Sequence, residues 1–207
     1  MIIIAISIPV ALFSLWVLSG YMPTRNIAMP TYTVIATQPG YEIRQYAAYI
    51  IAETPQSTVS GSSGFKELFQ YISGNNTAQT KLSMTSPVLK SEEGTGLKLS
   101  MTAPVLKQSG EGSGSIAFVM PPVYRLAELP LPKNPKISLR EIPSHRAATV
   151  TFSGYASAEI IKEKTAGLLR ALMQDGVHVR SIPTTALYNP PWTPPFMRRN
   201  EIVVEIE

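Results

Sequence analysis

The chain opens on an uncharged apolar run, Ile2 to Leu18, and only then settles into short alternating segments. That run is 17 residues long, with Pro9 inside it and Trp16 and Tyr21 at its end. A spanning helix needs about 20 apolar residues, so the run is at the short end of that range. Membrane helices tolerate proline, and tryptophan and tyrosine favour the headgroup level. It reads as an uncleaved anchor, with a cleaved signal segment and a buried helix as competitors. No Lys or Arg precedes it, and Val17-Leu18-Ser19 is a passable cleavage site. Residues 1–22 are taken as anchor or signal segment, 23–31 as linker and 32–207 as the folded domain. Analogy with signal anchors places that domain outside the cytoplasm.

Beyond the linker the pattern is mostly strand. Tyr32–Gln38 is rich in β-branched residues and stops at the turn Pro39-Gly40; Tyr41–Tyr46 alternates, and Tyr49–Thr54 follows. A short helix is expected after Ser62 or Ser63. Phe65, Leu68, Phe69 and Ile72 fall on one stripe, and Gly74 can close it. Two near-copies come next, Lys81–Lys90 and Lys98–Lys107, which differ only at Ser86 and Ala103. As strands they would turn Leu82, Met84, Leu99 and Met101 inward.

Further strands are expected at Ile116–Met120, Ile137–Ile142, Arg146–Phe152, Val177–Ile182, Thr185–Tyr188 and Glu201–Ile206. A longer helix is expected from Ser157 to Asp175, with Ile161, Leu168, Leu169 and Leu172 buried and Gly176 as its stop. Each half has the same order, two strands, a helix, then further strands. The expected fold is α+β: a duplicated ββαββ unit closed into a distorted antiparallel β-barrel with two helices, which leaves no exposed sheet edge.

Composition narrows the function. The chain has no cysteine, which excludes disulfides, iron–sulfur clusters and thiolate ligands. Its net charge of +4 comes from scattered cations rather than a basic stripe, which argues against a nucleic-acid surface. No phosphate-binding glycine loop, dinucleotide fingerprint, zinc-protease helix or serine-hydrolase elbow is present.

The strand Tyr41-Glu42-Ile43-Arg44, the doubled Lys-Leu-Ser-Met-Thr-x-Pro-Val segments, Phe118-Val119-Met120-Pro121 and the string from Tyr188 to Glu201 together resemble the SOUL family of haem-binding proteins. The string, Tyr-Asn-Pro-Pro-Trp-Thr-Pro-Pro-Phe-Met-Arg-Arg-Asn-Glu, is the most specific of these. The resemblance covers Tyr32 to the C-terminus. It implies a distorted barrel with two helices and reversible, non-covalent binding of haem or another tetrapyrrole in an apolar cleft, without a catalytic residue set.

A haem site needs apolar walls, a cation for the propionates and often an axial donor. Phe65 and Phe69 can serve as walls if the cleft opens beside the first helix, with Lys66 as a neighbouring cation. Met84 and Met101 supply soft thioethers. His145 is the candidate axial ligand and metal contact, ahead of His178; both also read as plain surface residues. Trp192 and Phe196 lie on a proline-stiffened loop, and Arg198 follows with Arg199 as a second cation. Each of these residues also has an ordinary structural reading, as core packing, solvated surface or loop pinning. The expected function is a non-enzymatic, membrane-tethered haem carrier or buffer. The alternative is a binding module for other apolar ligands or for a membrane partner protein.

Overall fold

The structure is a computed structural model that describes residues 10, 12–18, 20, 29–56, 63–78, 82, 88–92 and 114–207. Among these residues nine strands form one antiparallel sheet: β1 (Tyr32–Gln38), β2 (Tyr41–Tyr46), β3 (Tyr49–Gln56), β4 (Val88–Glu92), β5 (Gly114–Val119), β6 (Ser138–Ile142), β7 (His145–Phe152), β8 (Thr184–Leu187) and β9 (Asn200–Ile206). Helix α1 (Ser63–Ile72) follows β3, and helix α2 (Ala158–Gln174) follows β7. Residues 10, 12–18 and 20 are helical as well.

The strand order is β1-β2-β7-β9-β8-β4-β5-β3-β6. With β1 set aside, the order is the same from either end once the strands of the first half are exchanged for their counterparts in the second. Helix α1 packs on β3 and β5, and α2 on β7 and β9. The two halves meet where β4 pairs with β8, from Val88 opposite Leu187 to Lys90 opposite Thr185.

The barrel expectation is corrected: the sheet is open, with β1 and β6 at its edges. Both helices lie on the same face and bury it. Ile50, Ala52, Ile116 and Phe118 pack under α1 with Leu68, Tyr71 and Ile72. Tyr41, Ile43, Ala148, Ile202 and Val204 pack with Ile161, Leu168 and Leu172 of α2. With two helices covering the apolar face, closure is not needed to keep it from water.

Helix α2 follows its expectation. Ser157 accepts a bond from the Ile160 amide at 3.4 Å, and Gly176 takes a positive φ of 67° beyond its end. Leu169 is only half-buried. Helix α1 departs in its orientation. Its buried face is Gly64, Leu68, Tyr71 and Ile72, whereas Phe65 and Phe69 are 38% and 46% exposed. The cause is Gly64: a β-carbon there would lie 2.4 Å from Ile116 Cγ2. The missing side chain lets the helix rest on β5 along the Gly64 line, which rolls the phenylalanines outward. The expected strand Val177–Ile182 is reduced to a single bridge, Val179 to Ile206.

Of the repeated segments, Leu82 is buried, and its amide bonds the Ile72 carbonyl at 2.7 Å. Met84, Leu99 and Met101 lie outside the described residues.

Candidate functional site

On α1 the Phe65 and Phe69 rings stack at 6.3 Å with planes 9° apart, and Phe65 meets Phe118 edge-on at 5.2 Å. A core aromatic therefore backs an exposed pair of rings. Lys66 is exposed on the same helix, one residue from Phe65. Glu67, the next residue, is held by a bond from Thr54 Oγ1 at 2.9 Å. The result is an exposed pair of parallel rings with a solvent-exposed lysine on the same helix.

His145 lies elsewhere. It opens β7 opposite Tyr46, with its ring stacked on Tyr46 at 5.4 Å and 5.9 Å from Tyr49. Tyr49 alternates with Ile50 and Ala52, which face α1, so Tyr49 and His145 are on the face away from the helices. The structure thus puts His145 and the phenylalanine pair on opposite sides of the sheet. The His145 Nδ1 is 2.9 Å from the Pro143 carbonyl, which can only accept. The proton of a neutral ring is then on Nδ1, leaving a lone pair on Nε2. His178 is exposed beyond α2.

The aromatic–proline loop is braced from within. The Arg198 guanidinium donates to the Thr193 carbonyl at 2.8 Å and to the Pro191 carbonyl, and covers the Tyr155 ring at 4.5 Å. Trp192 and Phe196 stay 58% and 60% exposed, yet both touch the N-terminal helix. Trp16 Nε1 donates to the Trp192 carbonyl at 3.0 Å, and Phe13 stacks on Phe196 at 6.4 Å. None of the described contacts joins this loop to the α1 phenylalanines.

Sequence reasoning missed two features. The first is a cavity of about 380 Å³ at the end of β3 and β5, lined by Met29, Tyr49, Met120, Tyr124, Arg125 and Glu141 among others. It is assembled from four separate stretches of chain, and no local motif marks it.

The second is an ion network on the helix-free face, centred on Glu201, which is fully buried. Its carboxylate accepts from Arg44 Nη1 at 3.0 and 3.1 Å, Arg199 Nη2 at 2.7 Å, Tyr188 Oη at 2.6 Å and Thr151 Oγ1 at 3.1 Å. Arg44 also pairs with Glu42 at 2.6 Å and covers the Tyr32 ring at 4.4 Å. Burial alone would push the Glu201 carboxyl up; Arg44, Arg199 and the bonds from Tyr188 and Arg199 outweigh it and hold it below the ordinary range. The Tyr188 hydroxyl is pushed well up, by burial first and then by the Glu201 charge. Charged residues at alternate positions of Tyr41–Tyr46 and Asn200–Ile206 were the available signal. Their partnership depends on β2 and β9 both flanking β7. Among the described residues no cluster of three or more acidic or histidine side chains is placed to hold a metal ion.

The arrangement is an α+β domain, an open antiparallel sheet with both helices on one face and exposed aromatic rings on the first of them. A family model described as SOUL heme-binding protein matches residues 27–205. The chain belongs to the SOUL family of haem-binding proteins. No curated protein matches it in sequence. Among solved structures it is similar to the EcmrR C-terminal domain, at 14% identity and TM-score 0.57, over 85% of this chain and 98% of that one. It is similar too to EcmrR in its DNA complex, at 12% identity and TM-score 0.57, over 98% of this chain and 69% of that one. A structure from Listeria innocua described as a hydrolase is similar at 7% identity and TM-score 0.53, over 84% of this chain and 94% of that one. At these identities the likeness is one of fold.

Proposed function

We propose that the chain binds haem or a related tetrapyrrole reversibly and without catalysis, on the α1 side of the sheet, as a carrier or buffer tethered at a membrane. The observation that supports this most is the exposed, parallel Phe65–Phe69 pair, backed by Phe118 and adjoined by Lys66. A flat apolar ring system with carboxylates needs a surface of that kind. Met84 and Met101 remain in the proposal as soft side chains from the repeated segments. Bound haem would supply an iron centre; the protein's own part is apolar contact and charge pairing.

In this reading the anchor is residues 1–22, followed by the linker 23–31 and the domain 32–207, with the domain outside the cytoplasm. Among the described residues no helix is long and apolar enough to cross a membrane. The two halves are read as descendants of one ββαββ unit. The strand order supports this, as does the placing of Glu42 on β2 and Glu141 on the matching strand β6.

A second reading is favoured by the 380 Å³ cavity, whose volume lies in the range of small-molecule pockets. Its lining residue Tyr49 touches His145. Here a smaller apolar ligand binds at the end of the sheet, and Arg125 and Glu141 supply the polar contacts.

One titration separates the two. Haem is added to the full chain in detergent and the Soret band is followed. The first reading expects a saturable shift at one site per chain. Phe65→Ala with Phe69→Ala should weaken it by roughly tenfold or more, the scale of two lost aromatic contacts, whereas His145→Ala should leave it unchanged. Loss on Arg125→Ala with the phenylalanine variant unaffected would move the site to the cavity. A folded protein with no saturable shift would end the haem reading.

A further inference from the structure

The contacts of the N-terminal helix carry a consequence for how the chain meets a membrane. Three of its residues seat on the aromatic–proline loop: Phe13 on Phe196, Trp16 on the Trp192 carbonyl, and Gly20 against Pro194. The last contact is very close. A β-carbon on Gly20 would lie 2.5 Å from Pro194 Cδ and 3.3 Å from Thr193. Phe13, Trp16 and Gly20 are thus committed to the domain.

Among the described residues no helix is long and apolar enough to cross a membrane. This one is held along its side against the loop instead.

The docked helix nevertheless keeps a large apolar surface. Val10, Leu12, Phe13 and Leu15 are 60%, 62%, 54% and 63% exposed. Trp192, Phe196 and Tyr155, at 58%, 60% and 58%, extend that surface onto the domain. An apolar hollow of about 320 Å³ opens between helix and loop, lined by Phe13, Ser14, Val17, Leu18 and Met197. Arg198, stacked on Tyr155, puts a cation beside the rings. Soluble monomers rarely leave so continuous an apolar patch in water. Aromatic rings with a nearby cation suit the boundary between headgroups and acyl chains, and the hollow suits part of an acyl chain.

We propose that the chain is held on one leaflet of a bilayer by a composite surface, the docked N-terminal helix together with the Trp192–Phe196 loop, rather than by a spanning helix. The proposal rests on the membrane-tether reading and specifies its geometry. It gives the aromatic–proline loop a lipid partner.

Trp16 and Trp192 are the only tryptophans, so each side of the surface has its own probe. The full chain is reconstituted into phosphatidylcholine–phosphatidylglycerol vesicles containing acyl-brominated phosphatidylcholine. Trp192→Phe reports on the helix and Trp16→Phe on the loop. The expected result is loss of emission from both to a similar degree, with an N-terminal tag cleavable by protease from the same side as the domain. In Gly20→Leu, which forces helix and loop apart, quenching of the loop tryptophan should vanish while that of the helix persists. Quenching of Trp16 alone in the unaltered background, or a tag on the opposite side, would overturn the composite surface and leave a simple anchor. Quenching of neither would remove the tether reading and this proposal with it.

Discussion

The two halves of the sheet share one topology and differ in what they do with the face away from the helices. In the α2 half that face holds charge: Glu201, fully buried, between Arg44 and Arg199. In the α1 half it holds Ile51, Ala117, Val119 and Ile142, a small apolar cluster, along with one ion pair from Arg140 to Glu53 at 2.5 Å. The register makes the comparison specific. Phe152 faces Asn200 at the start of β9, and Gln56 faces Gly114 at the start of β5. The next position is Glu201 in one half and Ser115 in the other. The helices differ as well. Helix α2 has 17 residues and buries Ile161, Leu168 and Leu172. Helix α1 has 10 and leaves Phe65 and Phe69 in water. One half is locked by charge; the other presents apolar surface. The same strand order carries a buried charge network in one half and exposed rings in the other.

The sharpest way to break the lock is Glu201→Leu. It leaves Arg44 and Arg199 facing an apolar side chain in a buried site. Removing one partner of a buried pair costs about 3–5 kcal/mol. Chemical denaturation should show a loss of that size, or failure to fold. Adding Arg44→Met should restore part of it, since replacing several members of a buried ionic group together is far less damaging than orphaning one. A Glu201→Leu protein as stable as the unaltered chain would mean that the network is not what holds this half.

The helices give the next contrast. Leu172→Ala empties a fully buried site under α2 and should cost about 2–5 kcal/mol. Phe69→Ala on α1 removes a ring that is nearly half in water and should cost less than about 1 kcal/mol, the range of exposed substitutions. The same Phe69 variant should weaken haem binding. Equal stability losses from the two variants would show that Phe69 is core, and the division between the halves would fail.

Much of this was legible in the sequence, and the reasons differ by level. Strand alternation and the caps of α2 are local, so Tyr41–Tyr46, Ser157 and Gly176 announced themselves. The most specific part of the family resemblance was Tyr188 to Glu201, a string in which Arg198 braces the loop and Arg199 holds Glu201. The orientation of α1 was not legible. The stripe Phe65, Leu68, Phe69, Ile72 is a good helical face, and only the approach of Gly64 to Ile116 decides against it. A glycine reads as a weak point in a helix until its neighbour is known. Closure of the barrel was inferred from edges that needed cover, but edge pairing is set by strands far apart in sequence. The Glu201 network and the 380 Å³ cavity were illegible for the same reason. The candidate residues could be named only singly; that His145 and Phe65 stand on opposite faces follows only from strand register.

The smallest expected effect is also the most selective: the two halves should answer acid differently and base alike. The Glu201 carboxyl is held below the ordinary carboxylate range in the fold. A depressed pKa contributes stability that is present above the unfolded value, near 4.3, and lost as pH falls through the folded one. The α1 half has Ser115 at the matching position and no such term there. Acidification should therefore loosen β7 and β9 before β3 and β5. Amide exchange read strand by strand resolves such partial openings. Base should not discriminate. Burial, with Asp175 at 2.6 Å adding to it, pushes the Tyr41 hydroxyl up to about 12, and burial alone does the same to Tyr71. Tyr41 belongs to the α2 core and Tyr71 to the α1 core. A raised pKa contributes stability that is complete below the unfolded value of 10 and lost as pH rises towards 12. Tyr188 in the α2 half and Tyr49 in the α1 half are pushed well up as well, so both halves should loosen as base rises. Tyr41→Phe and Tyr71→Phe should each flatten the alkaline limb while leaving the acid limb in place. Acid loosening that begins in β3 and β5 would mean that the charged lock does not set the order in which the halves open.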